Sequence, residues 1–152
     1  MIEPEIAFGE LEDVMEVAES YIKFLIRYCL DNLKDDVEYF NGRKGKKGLI
    51  DYLKSLCGEK PYKRLTYTDG IKILLDHSKE GKVKFEREVY WGIDLDSEHE
   101  RYLCEKVFNG PVIHYNYPRD IKAFYMRCNE DGKTVAAMDI LVPKIGELVG
   151  GS

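Results

Sequence analysis

Three apolar runs close this sequence, and their spacing dictates a sheet. Between Tyr117 and Ser152, Ile121–Cys128 alternates apolar with longer polar side chains, Asn129-Glu130-Asp131-Gly132 supplies a turn, and Thr134–Val142 is a second apolar run. That is the pattern of a β-hairpin. After Pro143 a shorter run, Ile145-Gly146-Glu147-Leu148-Val149, alternates again and sets one carboxylate among apolar neighbours, just ahead of Gly150-Gly151. Glu147 has two readings from the residues alone: an edge-strand charge facing water, or an acid aimed into a cleft where glycines let a ligand approach the backbone. Taken by itself, the pattern favours the first.

The rest of the chain supplies helices and further strands. Met1–Phe8 alternates Ile2, Ile6 and Phe8 with Glu3 and Glu5, which predicts a strand with both carboxylates on one face; Pro4 marks it as an edge. Such a pair suits a cationic ligand or arginine partners, against a default of a solvent face. Glu10–Leu33 carries Leu11, Val14, Met15, Ala18, Ile22, Leu25, Cys29 and Leu33 at helical spacing, with acids crowding the first turns. Asp35–Phe40 reads as a ragged continuation and Leu49–Cys57 as a short second helix. Arg64–Tyr67 is a brief extended piece before a helix capped by Thr68. Ser97-Glu98-His99-Glu100 fits a capping box with serine at the cap, opening a helix to Phe108 and giving its acids a structural role. Pro111–Tyr117 alternates as a strand.

Composition narrows the class. At 152 residues, 44% hydrophobic and 34% charged, the chain has enough material for one globular domain. No apolar run approaches the roughly 18 residues a membrane helix needs, and Met-Ile-Glu-Pro-Glu does not read as a secretory signal. Cys29, Cys57, Cys104 and Cys128 form no CxxC, which points to free thiols and a cytoplasmic setting. A net charge of −5 and a pI near 5.3 argue against the main grip of a nucleic acid. The basic run Arg43-Lys44-Gly45-Lys46-Lys47 reads first as a solvated loop, with phosphate contact as the alternative. His99 has Leu95 and Leu103 at i−4 and i+4, so the helix offers no zinc partner. His77 and His114 read as packing or surface residues.

Within the predicted hairpin, Ala123, Tyr125 and Arg127 share a face. A tyrosine and an arginine side by side can bind a carboxylate or phosphate, or simply pair with an acid such as Glu3 or Glu5. Asp139 and Glu147 offer hard carboxylate oxygens of the kind Mg²⁺ takes.

The block IKAFYMRCNEDGKTVAAMDILVPKIGELVGGS resembles the catalytic core of the asparaginyl-tRNA synthetase family, class II aminoacyl-tRNA synthetases of the subgroup that also handles aspartate and lysine. MIEPEIAF is similar to the tail of that family's motif 2, YTDGIKILL to its Tyr-Thr-(Asp/Glu)-(Ala/Gly)-Ile helix start, and WGIDLDSEHERYL to its Trp-Gly-x-Asp-Leu-x-x-Glu-His-Glu-Arg-Tyr-Leu segment. The likeness covers nearly the whole chain and is weakest from Asn32 to Lys60. It implies an α+β fold, an antiparallel sheet flanked by helices, with strands from Met1, Val112, Ile121, Thr134 and Ile145. It makes residues 1–152 a partial catalytic domain, from the end of motif 2 to just before motif 3.

The same resemblance implies ATP, Mg²⁺ and asparagine as ligands, with tRNA(Asn) and a homodimer for the full-length enzyme. It places Glu3 and Glu5 in the amino-acid and ATP pocket beside Tyr125 and Arg127, Glu3 reading asparagine's nitrogen groups. Glu147 falls where the family ligates the Mg²⁺ of ATP, with Asp139 assisting, and Gly150 lets the backbone approach substrate. Motif 1, the front of motif 2, the Gln-Arg clamp and motif 3 of that family are not among these 152 residues. The chain alone is therefore expected neither to form adenylate nor to charge tRNA, and asparagine-dependent pyrophosphate release would overturn that expectation. Two other readings stay open: a paralogue that binds or makes free asparagine or aspartate, and a non-enzymatic interaction module.

Overall fold

The computed structural model describes residues 1–43 and 48–152. Of the basic run, Lys44 to Lys47 lie outside the described residues, and so does the phosphate-contact reading of them. The chain divides into two compact units, Glu16–Pro61 and a larger one made of Met1–Met15 with Tyr62–Ser152. No described helix is long and apolar enough to cross a membrane.

The apolar stripe of the first helix is realised as α1 (Leu11–Asn32), with Glu12 and Asp13 in its first turn and the Glu10 N–H donating to Asp13 Oδ2 at 2.8 Å. The expected ragged continuation is a separate helix, α2 (Lys34–Gly42), because Leu33 leaves helical geometry at φ −121°, ψ 43°. With α3 (Leu49–Leu56) these helices build the smaller unit. Arg27 donates twice to the Cys57 carbonyl, at 3.1 and 2.7 Å, satisfying a group that the end of α3 leaves open.

The larger unit is a four-stranded sheet in sequence order: β1 (Lys63–Thr66), β2 (Val112–Pro118), β3 (Thr134–Val142) and β4 (Gly146–Gly151). β2/β3 and β3/β4 are antiparallel as expected, but β1 runs parallel to β2, so the sheet is mixed. The cause is α4 (Tyr67–Lys79), which follows β1 directly and is part of the long connection that a parallel neighbour requires. Its cap is Thr66, not Thr68: Thr66 Oγ1 accepts from the Asp69 N–H at 3.1 Å. β3 is buried along its whole length, which suits its unbroken apolar run and makes its one acid conspicuous. Tyr67, Leu74, Leu103, Val112 and Leu141, each essentially inaccessible, form the core against β2 and β3.

Two predicted strands are absent. Met1–Phe8 is irregular and exposed, with Phe8 in left-handed backbone at φ 62°; Pro4 removes a donor, and among the described residues no strand pairs with it. Ile121–Cys128 is not the first arm of a hairpin. After Pro118 the chain enters a 3-10 turn, Arg119–Ile121, and only Cys128 makes an isolated bridge, to Val135. β3 pairs instead with β2, whose Val112 and Ile113 are fully buried while Phe124 and Tyr125 of the predicted arm stay exposed, and Asp131 holds the Lys133 and Thr134 N–H groups at 2.8 Å each.

Candidate functional site

One row across the sheet sets the site. Leu65, His114, Asp139 and Gly150 are successive partners on β1, β2, β3 and β4, and directly opposed residues share a face. In a regular β4, Glu147 would lie on the face opposite Gly150, three residues away. The register shifts between Ile140 and Leu141 so that Leu141 pairs with Glu147, and Leu148 is the extra residue of the bulge. The bulge turns Glu147 onto the Asp139 face. Gly150 then becomes a spatial necessity: a Cβ there would stand 2.9 Å from Glu147 Oε1 and 3.2 Å from Asp139 Oδ1.

The third carboxylate arrives from α5 (Ser97–Arg101). Its cap is Asp96, with His99 at the third helical position accepting from the Asp96 N–H, one residue earlier than the serine cap expected from sequence. This displaces Glu100 from a capping role and delivers it to a cleft of about 370 Å³, lined also by Asp94, Tyr117, Lys122, Asp139 and Glu147. Lys122, at the end of the 3-10 turn, places Nζ 3.0 Å from Asp139 Oδ2 and 4.1 Å from the Tyr117 ring centroid.

The cleft is short of positive charge for its acids. Burial, then the charges of Glu147 and Asp139, push Glu100 up to about 7. Glu147 is raised too, by burial and then by Asp139, with Lys122 opposing. Burial, then the charge of the neighbouring Asp139, hold the Tyr117 hydroxyl well above its ordinary value, so that it stays protonated. Three converging carboxylates that repel one another, around a glycine gap, fit a small hard cation with oxygen ligands. Asp96, Glu98 and His99 also bring three donor atoms within 4.8 Å of one another, but they already have partners. His99 Nδ1 accepts from the Asp96 N–H at 3.2 Å, Nε2 lies 3.3 Å from the Arg87 carbonyl, and Glu98 accepts from the Glu86 and Arg87 N–H groups.

The residues expected from sequence separate into two sets. Asp139, Glu147 and Gly150 meet in the cleft. Glu3, Glu5, Tyr125 and Arg127 do not line it; all four are solvent-exposed, and Arg127 Nη2 pairs with Glu10 Oε2 at 2.7 Å. Glu100, Asp94, Lys122 and Tyr117 are functional candidates that the sequence reading passed over. A signal for Glu100 exists in the sequence, since Asp96 is as good a capping residue as Ser97 and an Asp96 cap frees Glu100.

Comparison with known proteins gives the family. The family model of class II tRNA synthetases (D, K and N) matches residues 1–152. The asparagine–tRNA ligase of Porphyromonas gingivalis is 55% identical over the whole of this chain and 32% of its own length; that of Bacteroides fragilis is 56% identical with the same coverage. The chain thus spans about a third of the length of these relatives. Among solved structures, the asparaginyl-tRNA synthetase of Pyrococcus horikoshii complexed with asparaginyl-adenylate superposes with a TM-score of 0.76 at 34% identity, covering 96% of this chain and 30% of that one. The Entamoeba histolytica asparaginyl-tRNA synthetase in complex with asparaginyl-adenylate gives 0.73 at 26% identity, over 95% and 30%.

Proposed function

We propose, because this chain belongs to the class II tRNA synthetases of the D, K and N group, that it carries the metal- and ATP-facing wall of a site that joins asparagine to tRNA(Asn). The reaction is attack of the asparagine carboxylate on the α-phosphate of ATP, releasing pyrophosphate and forming asparaginyl-adenylate, followed by transfer to tRNA. The observation that carries this reading is the convergence of Asp139, Glu147 and Glu100 on one cleft, the first two closing on the missing side chain of Gly150.

Asp139 and Glu147 are the metal ligands in this reading. Mg²⁺ bound there would neutralise phosphate charge that the protein's own carboxylates would otherwise repel. Lys122 holds Asp139 through one oxygen and leaves the other to the cleft. Gly150 keeps both carboxylates within reach of each other and brings bare backbone close to the nucleotide. Glu3, Glu5, Tyr125 and Arg127 are assigned to the amino acid; their exposure leaves them accessible to it. Residues 1–152 form part of a catalytic domain, which in the whole protein works as a homodimer.

Calorimetric titration of the chain with a non-hydrolysable asparaginyl-adenylate analogue tests the assignment. Binding that depends on Mg²⁺ and is lost in Glu147→Ala is expected. Binding indifferent to both Mg²⁺ and Glu147 would refute the metal ligands named here.

A further inference from the structure

His114 sits inside the fold with no access to solvent, on a strand whose neighbours Val112 and Ile113 are apolar. An aliphatic side chain would fill that place without a polar group to satisfy. The imidazole instead makes one hydrogen bond, Nδ1 to the Tyr117 hydroxyl at 2.9 Å. Its Nε2 has no hydrogen-bond partner among the described residues, although the Thr66 carbonyl favours a proton on the ring. A buried polar atom left in that state needs a reason.

Two further features exist to accommodate this contact. Residues three apart on a regular strand point to opposite faces, yet His114 and Tyr117 meet. They do so because Asn116 takes left-handed backbone, φ 59°, and the β2/β3 register slips between Tyr115 and Tyr117. Tyr117 consequently pairs with Val135, which shares the face of Asp139 by strand alternation. Asn116 tolerates that conformation better than most residues, and Asn129 Nδ2 fixes it through a 3.1 Å hydrogen bond to its side-chain oxygen. On the other side of the ring, Gly70 occupies the interior of α4, where glycine costs about 1 kcal/mol relative to alanine. A Cβ on Gly70 would collide with His114 Nε2.

We infer that His114 is a positioning residue for Asp139, acting through the Tyr117 hydroxyl. The inference rests on the reading of Asp139 as a metal ligand. The hydrogen-bond arithmetic sets the direction. Tyr117 has one hydroxyl proton, and Asp139, which lines the same cleft and bears on that hydroxyl, offers carboxylate oxygens to take it. His114 must then present the N–H at Nδ1 and leave Nε2 bare toward Gly70. The chain Nδ1–H to Oη–H to carboxylate stops the hydroxyl from rotating. With Lys122 on Oδ2, it fixes the carboxylate with free lone pairs facing the cleft. Hydrogen bonds of this kind behind a metal ligand govern affinity without touching the ion.

The test uses the full 152-residue chain and Mn²⁺ as probe, with free Mn²⁺ followed by electron paramagnetic resonance. His114→Leu is expected to weaken Mn²⁺ binding about tenfold. His114→Asn, which keeps an N–H near the Nδ1 place, should bind within about twofold of the parent, a rescue that a purely space-filling role does not give. Tyr117→Phe should match His114→Leu, and the double variant should be no weaker than either. Imidazole nitrogen spectra should give the Nδ1–H tautomer for His114, with a shift on Mg²⁺ saturation that His77, half-buried and outside the cleft lining, does not show; this measurement and Tyr117→Phe decide the matter should His114→Leu fail to fold. Mn²⁺ binding by the parent that is unchanged in His114→Leu, additive losses in the double variant, or an Nε2–H tautomer would each overturn the inference alone. Absence of Mn²⁺ binding by the parent would overturn the metal reading beneath it as well.

Discussion

Lys122 Nζ lies 3.0 Å from Asp139 Oδ2, with the lysine side chain 21% and the aspartate side chain 7% exposed. This ion pair sets a cation against a carboxylate on the most buried strand of the sheet. Removing one partner of such a pair leaves the other charge desolvated. Lys122→Met is therefore expected to destabilise the metal-free chain by about 2–3 kcal/mol, less than for a fully buried pair because the lysine is partly solvated. Millimolar Mg²⁺ should restore a good part of the loss by supplying the missing positive charge. Thermal unfolding of parent and variant, with and without Mg²⁺, measures it; a gap that ignores Mg²⁺ would mean the cleft does not take the ion.

Gly150→Ala separates stability from binding. Its backbone does not require glycine, since no left-handed conformation is recorded there, and Glu147, whose Oε1 is the nearer clash, can swing its flexible end outward. The cost in stability is expected to stay near 1 kcal/mol or below. The movement pulls a carboxylate away from Asp139, so Mn²⁺ affinity should fall by tenfold or more. Calorimetry and urea unfolding on the same preparation give both numbers.

His114 and Glu100 give the pH dependence two opposed contributions, and Glu147, raised as well, adds to that of Glu100. Burial, then the nearby Lys122, hold His114 down to about 3 from an ordinary 6.5. Between those values the unfolded chain binds a proton that the folded one refuses, so stability falls as pH drops below 6.5, by about 1.4 kcal/mol per unit. Glu100 does the reverse. Its folded value of about 7 lies above the ordinary 4.5, so the folded chain keeps a proton the unfolded one loses, and stability falls as pH rises across that window. From 4.5 to 6.5 the slopes of His114 and Glu100 nearly cancel in the parent. His114→Asn removes one of them, so its stability relative to the parent should rise by about 1.4 kcal/mol for each unit below 6.5. Urea unfolding of both proteins from pH 4.5 to 7.5 reads the difference, and parallel profiles would contradict it.

What the sequence disclosed followed the reach of its signals. The stripe of α1 and the apolar run of β3 are periodic over many residues, and both appear close to where the pattern puts them. Asp139, Glu147 and Gly150 were named together by the family resemblance, whereas the pattern alone set Glu147 in water. What turned it into the cleft is the bulge at Leu148, and a one-residue slip leaves no mark in an alternation only five residues long. The hairpin from Ile121 failed for a related reason: strand pairing is decided by competition with a distant partner, and β2 is not adjacent in sequence. His114 read as an ordinary residue because its meaning depends on Asn116 reversing the strand's parity.

Gly70 offers a prediction that runs against helix propensity. In an exposed helix interior, glycine to alanine stabilises by about 1 kcal/mol. Here the new Cβ would overlap His114 Nε2 and crowd Cε1 at 3.2 Å and Cδ2 at 3.4 Å, inside a core where Tyr67 packs on the same imidazole at 5.8 Å between ring centroids. The ring has nowhere to move, since it has no access to solvent and Tyr117 stands against it edge-on. Overpacking of this kind costs about 1–3 kcal/mol, so Gly70→Ala is expected to be destabilising overall. Pairing it with His114→Ala should make the two changes strongly non-additive, because the smaller side chain opens the space the methyl needs. A thermal unfolding cycle over the four proteins checks this, and additive effects would mean that the glycine answers to something other than the histidine.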